Sequence, residues 1–302
     1  MTEAASQNPP LAIAVISLLG GAALERCLHA LRKIEGPLTV VGEAPATETE
    51  ASDRTRITHL HTDAPVPRKR ELGVAATRSE WVALIEDTCE IAASWPAAVA
   101  EIVRRSDLAA VGGPVVIDTA LSPRAMALAC MEYGEFAGER FVEDPSRAAC
   151  AGLRPAARIA GLNLLYRRSA LPPLRPDEGL IEVEVNAAIR ARGGEIALHP
   201  ALAVTYCAED RASARLRSRY AHGRIYGGGQ RATRSVAARI AAVAKCAALP
   251  LVLFARAARA LPRAYPRRFS ALGWMLAFSM AWAAGEAVGY ALGRGASLAA
   301  WR

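Results

Sequence analysis

Aromatic residues make up only 6% of the 302 residues, and no stretch interleaves them with basic ones. A surface on which single-stranded bases stack needs that interleaving, so nucleic acid is not an expected partner. None of the six cysteines, Cys27, Cys89, Cys130, Cys150, Cys207 and Cys246, belongs to a Cys-x-x-Cys pair. That spacing argues against a zinc site and a disulfide framework, and a reducing compartment is expected. The opening MTEAASQNPP has no basic residue, and the apolar run behind it, Leu11–Leu19, is short. No signal peptide is therefore read. A glycine-rich phosphate loop is also missing, since Gly20-Gly21 is all that follows the first apolar run.

What is present is apolar and basic. Apolar residues reach 52% and the net charge is +8, with a mean hydropathy of +0.15 and a pI near 9.5. The apolar excess lies beyond about Ser235, so a soluble part is followed by a membrane-like tail. The charge suits an anionic membrane surface or a phosphate-bearing substrate. The length allows one large domain or two small ones.

Over the first hundred residues short apolar runs alternate with helical spacings. Leu11–Ser17, Leu38–Val41, Ile57–Leu60 and Trp81–Ile85 read as strands; Ala22–Ile34, Val66–Thr77 and Trp95–Arg105 read as helices. That alternation predicts an α/β fold with a mostly parallel sheet flanked by helices. Pro45–Arg56 reads as a polar loop. Trp81–Trp95 is the central stretch. Its apolar strand runs straight into Glu86 and Asp87, and Ser94 stands as a helix N-cap before Trp95 and Pro96. Acids at the carboxyl end of a buried strand lie where open α/β sheets bind ligands. There they hold a divalent cation, and through it a diphosphate, or else they decorate a turn.

The second half continues with strands at Leu108–Ile117 (broken by Gly112-Gly113), Gly161–Tyr166, Glu195–Leu198 and Ala203–Tyr206. Arg124–Phe136 and Leu180–Arg192 read as helices, Phe141–Pro155 as a loop, and Pro172, Pro173 and Pro176 as a rigid connection. Glu209–Arg234 is basic, with Arg211, Arg215, Arg217, Arg219, Arg224, Arg231 and Arg234, and Gly227-Gly228-Gly229 is read as its end. Phe269–Leu292 is long enough to cross a bilayer and carries Trp274 and Tyr290 near its ends and one acid, Glu286. A buried helical hairpin is the alternative. Val236–Leu253 is interrupted by Arg239, Lys245 and Pro250 and reads as interfacial or re-entrant. The basic loop Arg256–Arg268 belongs on the cytoplasmic side. Three regions result: residues 1–207, a connecting segment 208–235, and a membrane-associated region 236–302.

With these residues laid out, Ala12–Tyr206 resembles the family 2 glycosyltransferases, inverting enzymes of the GT-A fold. Ile13–Ser17 and the helix behind it are similar to the family's opening nucleotide-binding unit. Val40-Val41-Gly42-Glu43 is similar to the second strand, whose terminal acid contacts the base. Arg70-Glu-Leu-Gly73, Ala76 and Glu80-Trp81 resemble the helix ahead of the acidic strand, and Glu86-Asp87-Thr88 stands in the place of the D-x-D motif, with Trp95 after it. Gly161-Leu-Asn163-Leu-Leu-Tyr-Arg-Arg168 resembles a strand near the acceptor. Ile181-Glu182-Val-Glu184-Val185, with Arg190 and Gly193, resembles the helix that carries the catalytic aspartate. Arg219-Tyr-Ala-His-Gly-Arg224 resembles a basic motif facing the departing diphosphate in membrane-linked members.

The resemblance implies a membrane-anchored, cytoplasm-facing glycosyltransferase. Its donor would be a nucleotide sugar, its acceptor lipid-linked or a saccharide, and its partner surface anionic lipid. It implies Glu182 as base with Glu184 as competitor, and Ser17, Glu43, Arg70, Glu86 and Asp87 at the nucleotide. Asn163, Arg219 and Arg224 fall to the acceptor and diphosphate, and a Mg2+ or Mn2+ ion to Asp87 and Glu86. Two departures stand out: Thr88 replaces the second aspartate, and a glutamate replaces the catalytic one. The residues by themselves also allow that Glu182 and Glu184 only stabilise a helix dipole, that Arg70 only covers surface, and that Asn163 only bonds to backbone. His222 reads as a polar neighbour. Two other functions stay open, a nucleotidyltransferase and a non-catalytic membrane adaptor on a degenerate glycosyltransferase scaffold.

Overall fold

A computed structural model describes residues 10–32, 34, 36–43, 57–137, 152–174, 178–208 and 215–301. The polar loop Pro45–Arg56, most of the loop Phe141–Pro155, Cys150, Pro176, Glu209, Asp210 and Arg211 lie outside the described residues. In chain order the elements begin β1 (Leu11–Ser17), α1 (Gly21–Leu31), β2 (Leu38–Gly42), β3 (Ile57–His61), α2 (Val66–Ala75) and β4 (Trp81–Glu86). Next come β5 (Cys89–Ile91), α3 (Trp95–Ile102), β6 (Leu108–Gly112), β7 (Val115–Ile117), α4 (Pro123–Tyr133), β8 (Arg154–Pro155) and β9 (Asn163–Arg167). The rest are α5 (Glu182–Ala191), β10 (Glu195–Leu198), β11 (Val204–Tyr206), α6 (Arg215–Arg231), α7 (Val236–Lys245), α8 (Leu249–Ala260) and α9 (Arg268–Leu292).

The chain divides into two compact units: Met1–Asp63, Pro67–Val116 and Gly138–Thr205 form the first; Ala64–Val66, Ile117–Ala137 and Tyr206–Arg302 form the second. The first is built on an eight-stranded sheet of order β3-β2-β1-β4-β9-β6-β10-β8. β3, β2, β1 and β4 run parallel, β9 lies antiparallel to both β4 and β6, and β10 is again parallel to β6. Every residue of β1 and β4 is buried, which is why both read as unbroken apolar runs rather than as alternations. The edge strand β3 instead exposes Thr58, His59 and His61, polar side chains that discourage pairing with another chain. α1 packs by Ala23, Leu24, Cys27, Leu28 and Leu31, the helical spacing read from sequence. The break at Gly112-Gly113 separates β6 from β7, which belongs to a second sheet of order β5-β11-β7. Ser94 does precede α3, but its hydroxyl donates to the Ala201 carbonyl at 2.9 Å instead of capping the helix.

His199 links this unit to pH. It is buried, and its Nδ1 accepts the Ala201 N–H at 3.1 Å, so that nitrogen carries no proton. Burial lowers its pKa from 6.5, with Glu101 opposing and Arg105 adding to the shift. A histidine with a lowered folded pKa costs nothing above the unfolded value, and the penalty grows as pH falls below about 6.5. Thermal melts through that range should lose stability on the acid side. His199→Asn keeps an acceptor and removes the titration, so it should flatten that part of the profile.

The second unit is helical. α9 is its centre, and α4, α6, α7 and α8 all pack against it. α6 does not end at Gly227-Gly228-Gly229 as read from sequence; it runs on to Arg231. The reason is close packing. A Cβ on Gly223 would fall 2.2 Å from the Trp282 carbonyl oxygen, one on Gly227 2.4 Å from that of Glu286, and one on Gly285 2.0 Å from that of Tyr220. Facing glycines let two backbones touch, and that contact outweighs the roughly 1 kcal/mol by which each glycine disfavours a helix. Glu286, buried in α9, accepts from Trp282 Nε1 at 2.7 Å and from the Tyr290 hydroxyl at 2.9 Å. Its polar contact is therefore with protein. α7 and α8 meet at a 56° bend, at Cys246–Ala248.

Candidate functional site

Parallel pairing sets the carboxyl ends of β1, β2 and β4 side by side, with Ser17 opposite Gly42 and Ile16 opposite Glu86. Ser17, Glu43, Glu86 and Asp87 thus share one sheet edge. Glu43, just past β2, is exposed. Asp87 is buried, and its carboxylate is fully engaged. Oδ2 accepts from Ser17 Oγ at 3.0 Å, from Leu19 N at 3.0 Å and from Gly20 N at 2.9 Å; Oδ1 accepts from Leu18 N at 2.9 Å and Leu19 N at 3.3 Å. Successive N–H groups of the β1–α1 loop converge on it, an anion-binding arrangement filled here by the protein's own side chain. In this structure Asp87 anchors the loop.

Glu86 belongs to a different cluster. Arg70, on α2 and 3% exposed, donates through Nη2 to Glu86 Oε1 at 2.8 Å and through Nη1 to Glu182 Oε2 at 2.5 Å. It also donates to the Gly161 carbonyl at 3.2 Å, so Arg70 does not merely cover surface. Burial opposes its charge, but Glu182 and Glu86 together outweigh that and hold its pKa above the ordinary arginine value. Thr88 Oγ1 donates to Glu86 Oε2 at 3.2 Å. Gly161 leaves room for the cluster: a Cβ there would sit 2.8 Å from Arg70 Nη2 and 3.3 Å from Glu182 Oε1.

Glu182 and Glu184 both lie in the first turn of α5, yet they face differently. Glu182 reaches Arg70 with 17% of its side chain exposed, whereas Glu184 is exposed. Two residues along a helix are about 200° apart, so only one can turn toward the sheet edge. Glu182 is that one.

The sequence reading passed over Lys69. It is buried, its ammonium donates to the Ser17 carbonyl at 2.8 Å, and a Cβ on Gly42 would come within 2.9 Å of it. The signal was Gly73, four residues on, where a Cβ would lie 2.7 Å from that of Ala14. A residue one turn before a glycine packed on the sheet points at the same strands. Asn163 bonds inward at both ends: Oδ1 accepts from Trp95 Nε1 at 3.3 Å, and Nδ2 donates to the Leu202 carbonyl at 2.7 Å. In this structure it holds the Leu202 carbonyl and the Trp95 indole in place.

Arg219 and Arg224, expected at a diphosphate, belong to the second unit and have partners there. Arg219 is buried, donates to Glu132 at 2.7 Å and lies 4.5 Å above the Trp282 ring. Arg224 donates to the Gly293 carbonyl at 3.0 Å. The His222 ring lies tilted at 57° against that of Trp301, with centroids 4.6 Å apart. Among the described residues no group of three His, Cys, Asp or Glu is placed to hold a metal ion.

No family model and no curated protein matches the chain. Solved structures do. The mannosyltransferase PcManGT from Pyrobaculum calidifontis, in complex with GDP-Man and Mn2+, aligns with a TM-score of 0.51 and 15% identity over 93% of this chain and 88% of its own. GalNAc-T7 with UDP, GalNAc and Mn2+ aligns at a TM-score of 0.46 and 14% identity, covering 68% of this chain, which spans 45% of GalNAc-T7. The mannosyltransferase likeness places the mixed sheet with its flanking helices in the GT-A fold.

Proposed function

We propose that the chain transfers a sugar from a nucleoside diphosphate donor to a lipid-linked or saccharide acceptor, with inversion, in the manner of family 2. The observation that carries this reading is the buried Glu86–Arg70–Glu182 cluster at the carboxyl edge of β4. The donor's nucleotide lies along the ends of β1 and β2, by Ser17 and Glu43, with Lys69 and Arg70 as the cationic groups nearest its diphosphate. Glu182 takes the proton of the acceptor hydroxyl while that oxygen bonds to the anomeric carbon. The carbon–oxygen bond to the diphosphate breaks, its electron pair leaving with the phosphate, and nearby cations stabilise the charge that develops. A divalent cation, Mg2+ or Mn2+, fits only as an ion held by Glu86 together with diphosphate oxygens, and it would add to that stabilisation. The mannosyltransferase complex with GDP-Man and Mn2+ supports the donor class. The cytoplasmic face of a membrane is the proposed location, supported by the basic, apolar second unit.

A non-catalytic adaptor is favoured by one observation, that Asp87 and Glu86 are already engaged by protein groups. Calorimetric titration of the detergent-solubilised full chain with UDP and with GDP, each with and without Mn2+, separates the two. Micromolar binding to one of them, with its release from the matching nucleotide sugar when acceptor is added, is the expected result. Folded protein that binds neither these nor other nucleoside diphosphates overturns the proposal in favour of the adaptor.

A further inference from the structure

We propose that the second unit seats on one leaflet of an anionic bilayer and does not cross it. This rests on the membrane location proposed above and narrows it. Of the twelve large apolar side chains exposed among the described residues, ten belong to this unit. They form stripes rather than scatter. On α9 Phe269, Gly273, Leu276, Met280, Ala284 and Ala291 are exposed, a helical repeat along one face. On α7 the stripe is Val236, Ile240 and Ala244, and at the start of α8 it is Leu251 and Val252. Residues 215–301 hold fourteen arginines and lysines against one acid, Glu286. Glu132 and Glu135 of the same unit pair with Arg219 and Arg256, and the remaining basic excess among apolar stripes matches a leaflet of anionic lipid.

α9 has the length to span, 25 residues or about 37 Å, but not the surroundings. Its C-terminal half is sheathed by α6 through backbone contacts: Gly223 against Trp282, Gly227 against Glu286, Gly285 against Tyr220, and Gly289 against Arg224. α6 also carries Arg217, Arg219, Arg224 and Arg231. A spanning α9 would drag that arginine-rich helix into hydrocarbon, where each arginine is strongly unfavourable, or would strip it off and break the contacts that fit only glycine. α7 and α8 are ten and twelve residues, about 15 and 18 Å, against a core of about 30 Å. The break between them carries Lys245 at its edge, so they lie along the interface.

The test uses the full chain. It should float with vesicles of phosphatidylcholine mixed with phosphatidylglycerol, and bind at least about tenfold less to phosphatidylcholine alone or at high salt. Ile240→Glu combined with Leu251→Glu, both at exposed positions, should abolish flotation while leaving the melting temperature unchanged. Sidedness comes from Ser270→Cys and Ala296→Cys, exposed sites near the two ends of α9, each compared with the parent chain. In sealed membranes from expressing cells, a membrane-impermeant maleimide should reach both from the same side. Labelling from opposite sides overturns the one-leaflet seat while leaving the membrane location standing. Folded protein that never floats overturns both, and a dimer by light scattering would then assign the apolar face to a second copy of the chain.

Discussion

Replacing Glu182 by Gln is expected to slow sugar transfer by about a hundredfold to ten-thousandfold, the usual contribution of a positioned base, with the protein still folded and still binding donor. The amide keeps an oxygen that accepts from Arg70 and keeps the shape beside Gly161, but it cannot take a proton. The Arg70 charge stays compensated, because Glu86 remains at 2.8 Å. Glu184→Gln removes an exposed carboxylate whose place in the first turn offers only a helix-dipole contribution, so its rate should stay near that of the parent. The readout is the initial rate of nucleoside diphosphate release in the presence of acceptor, beside donor affinity from calorimetry. Equal rates for the two variants would remove Glu182 as the base. A loss of donor binding in Glu182→Gln would instead make it part of the donor site.

The fold was legible where burial on both faces writes a continuous apolar run. β1, β2 and β4 were found for that reason, and the acids at the end of β4 followed directly. The resemblance ranks Glu182 ahead of Glu184, but the residues by themselves do not separate them. Both suit the first turn of α5, and only the position of Arg70, which comes from α2 more than a hundred residues earlier, distinguishes them. The loop bonds of Asp87 are hidden from the sequence for a related reason. A carboxylate beside a strand end is a metal ligand or a loop anchor according to where backbone N–H groups point, and those directions depend on the positive φ angles of Gly20 and Gly21.

The second unit shows the same limit from the opposite side. A run of three glycines is read as a helix end because each one disfavours helix. Within the unit Gly227 lies against the Glu286 carbonyl of α9 and Gly228 against Arg294, so the local cost is overruled by contacts that no local window contains. The sequence boundaries at residues 207 and 235 also leave α4 with the first region, whereas its contacts group it with the helical unit. Its pattern of Ala125, Met126, Leu128, Ala129 and Cys130 shows an apolar helix but not what covers it. The resemblance implies a diphosphate role for Arg219. Its burial against Glu132 and Trp282 is a tertiary fact.

Asp87→Ala is the substitution with the largest expected effect on stability. It deletes the acceptor for the Ser17 hydroxyl and for the N–H groups of Leu18, Leu19 and Gly20. An unsatisfied buried donor costs about 1–3 kcal/mol. Leu18 and Leu19 are half-exposed, so water recovers part of that, and a total of at least about 3 kcal/mol is expected. Against a typical stability of about 5–15 kcal/mol this is a large fraction, and the melting temperature should fall by on the order of 10 °C. Asp87→Asn should fall in between, since it keeps one acceptor oxygen and turns an NH2 group toward the same donors. A metal ligand would behave in the opposite way. Its removal would leave the melting temperature of metal-free protein unchanged or raise it, and would abolish the Mn2+-dependent part of nucleotide binding. Melting curves of the metal-free variants therefore decide between the two roles before any nucleotide is added. A stable Asp87→Ala protein would return Asp87 to the list of metal ligands.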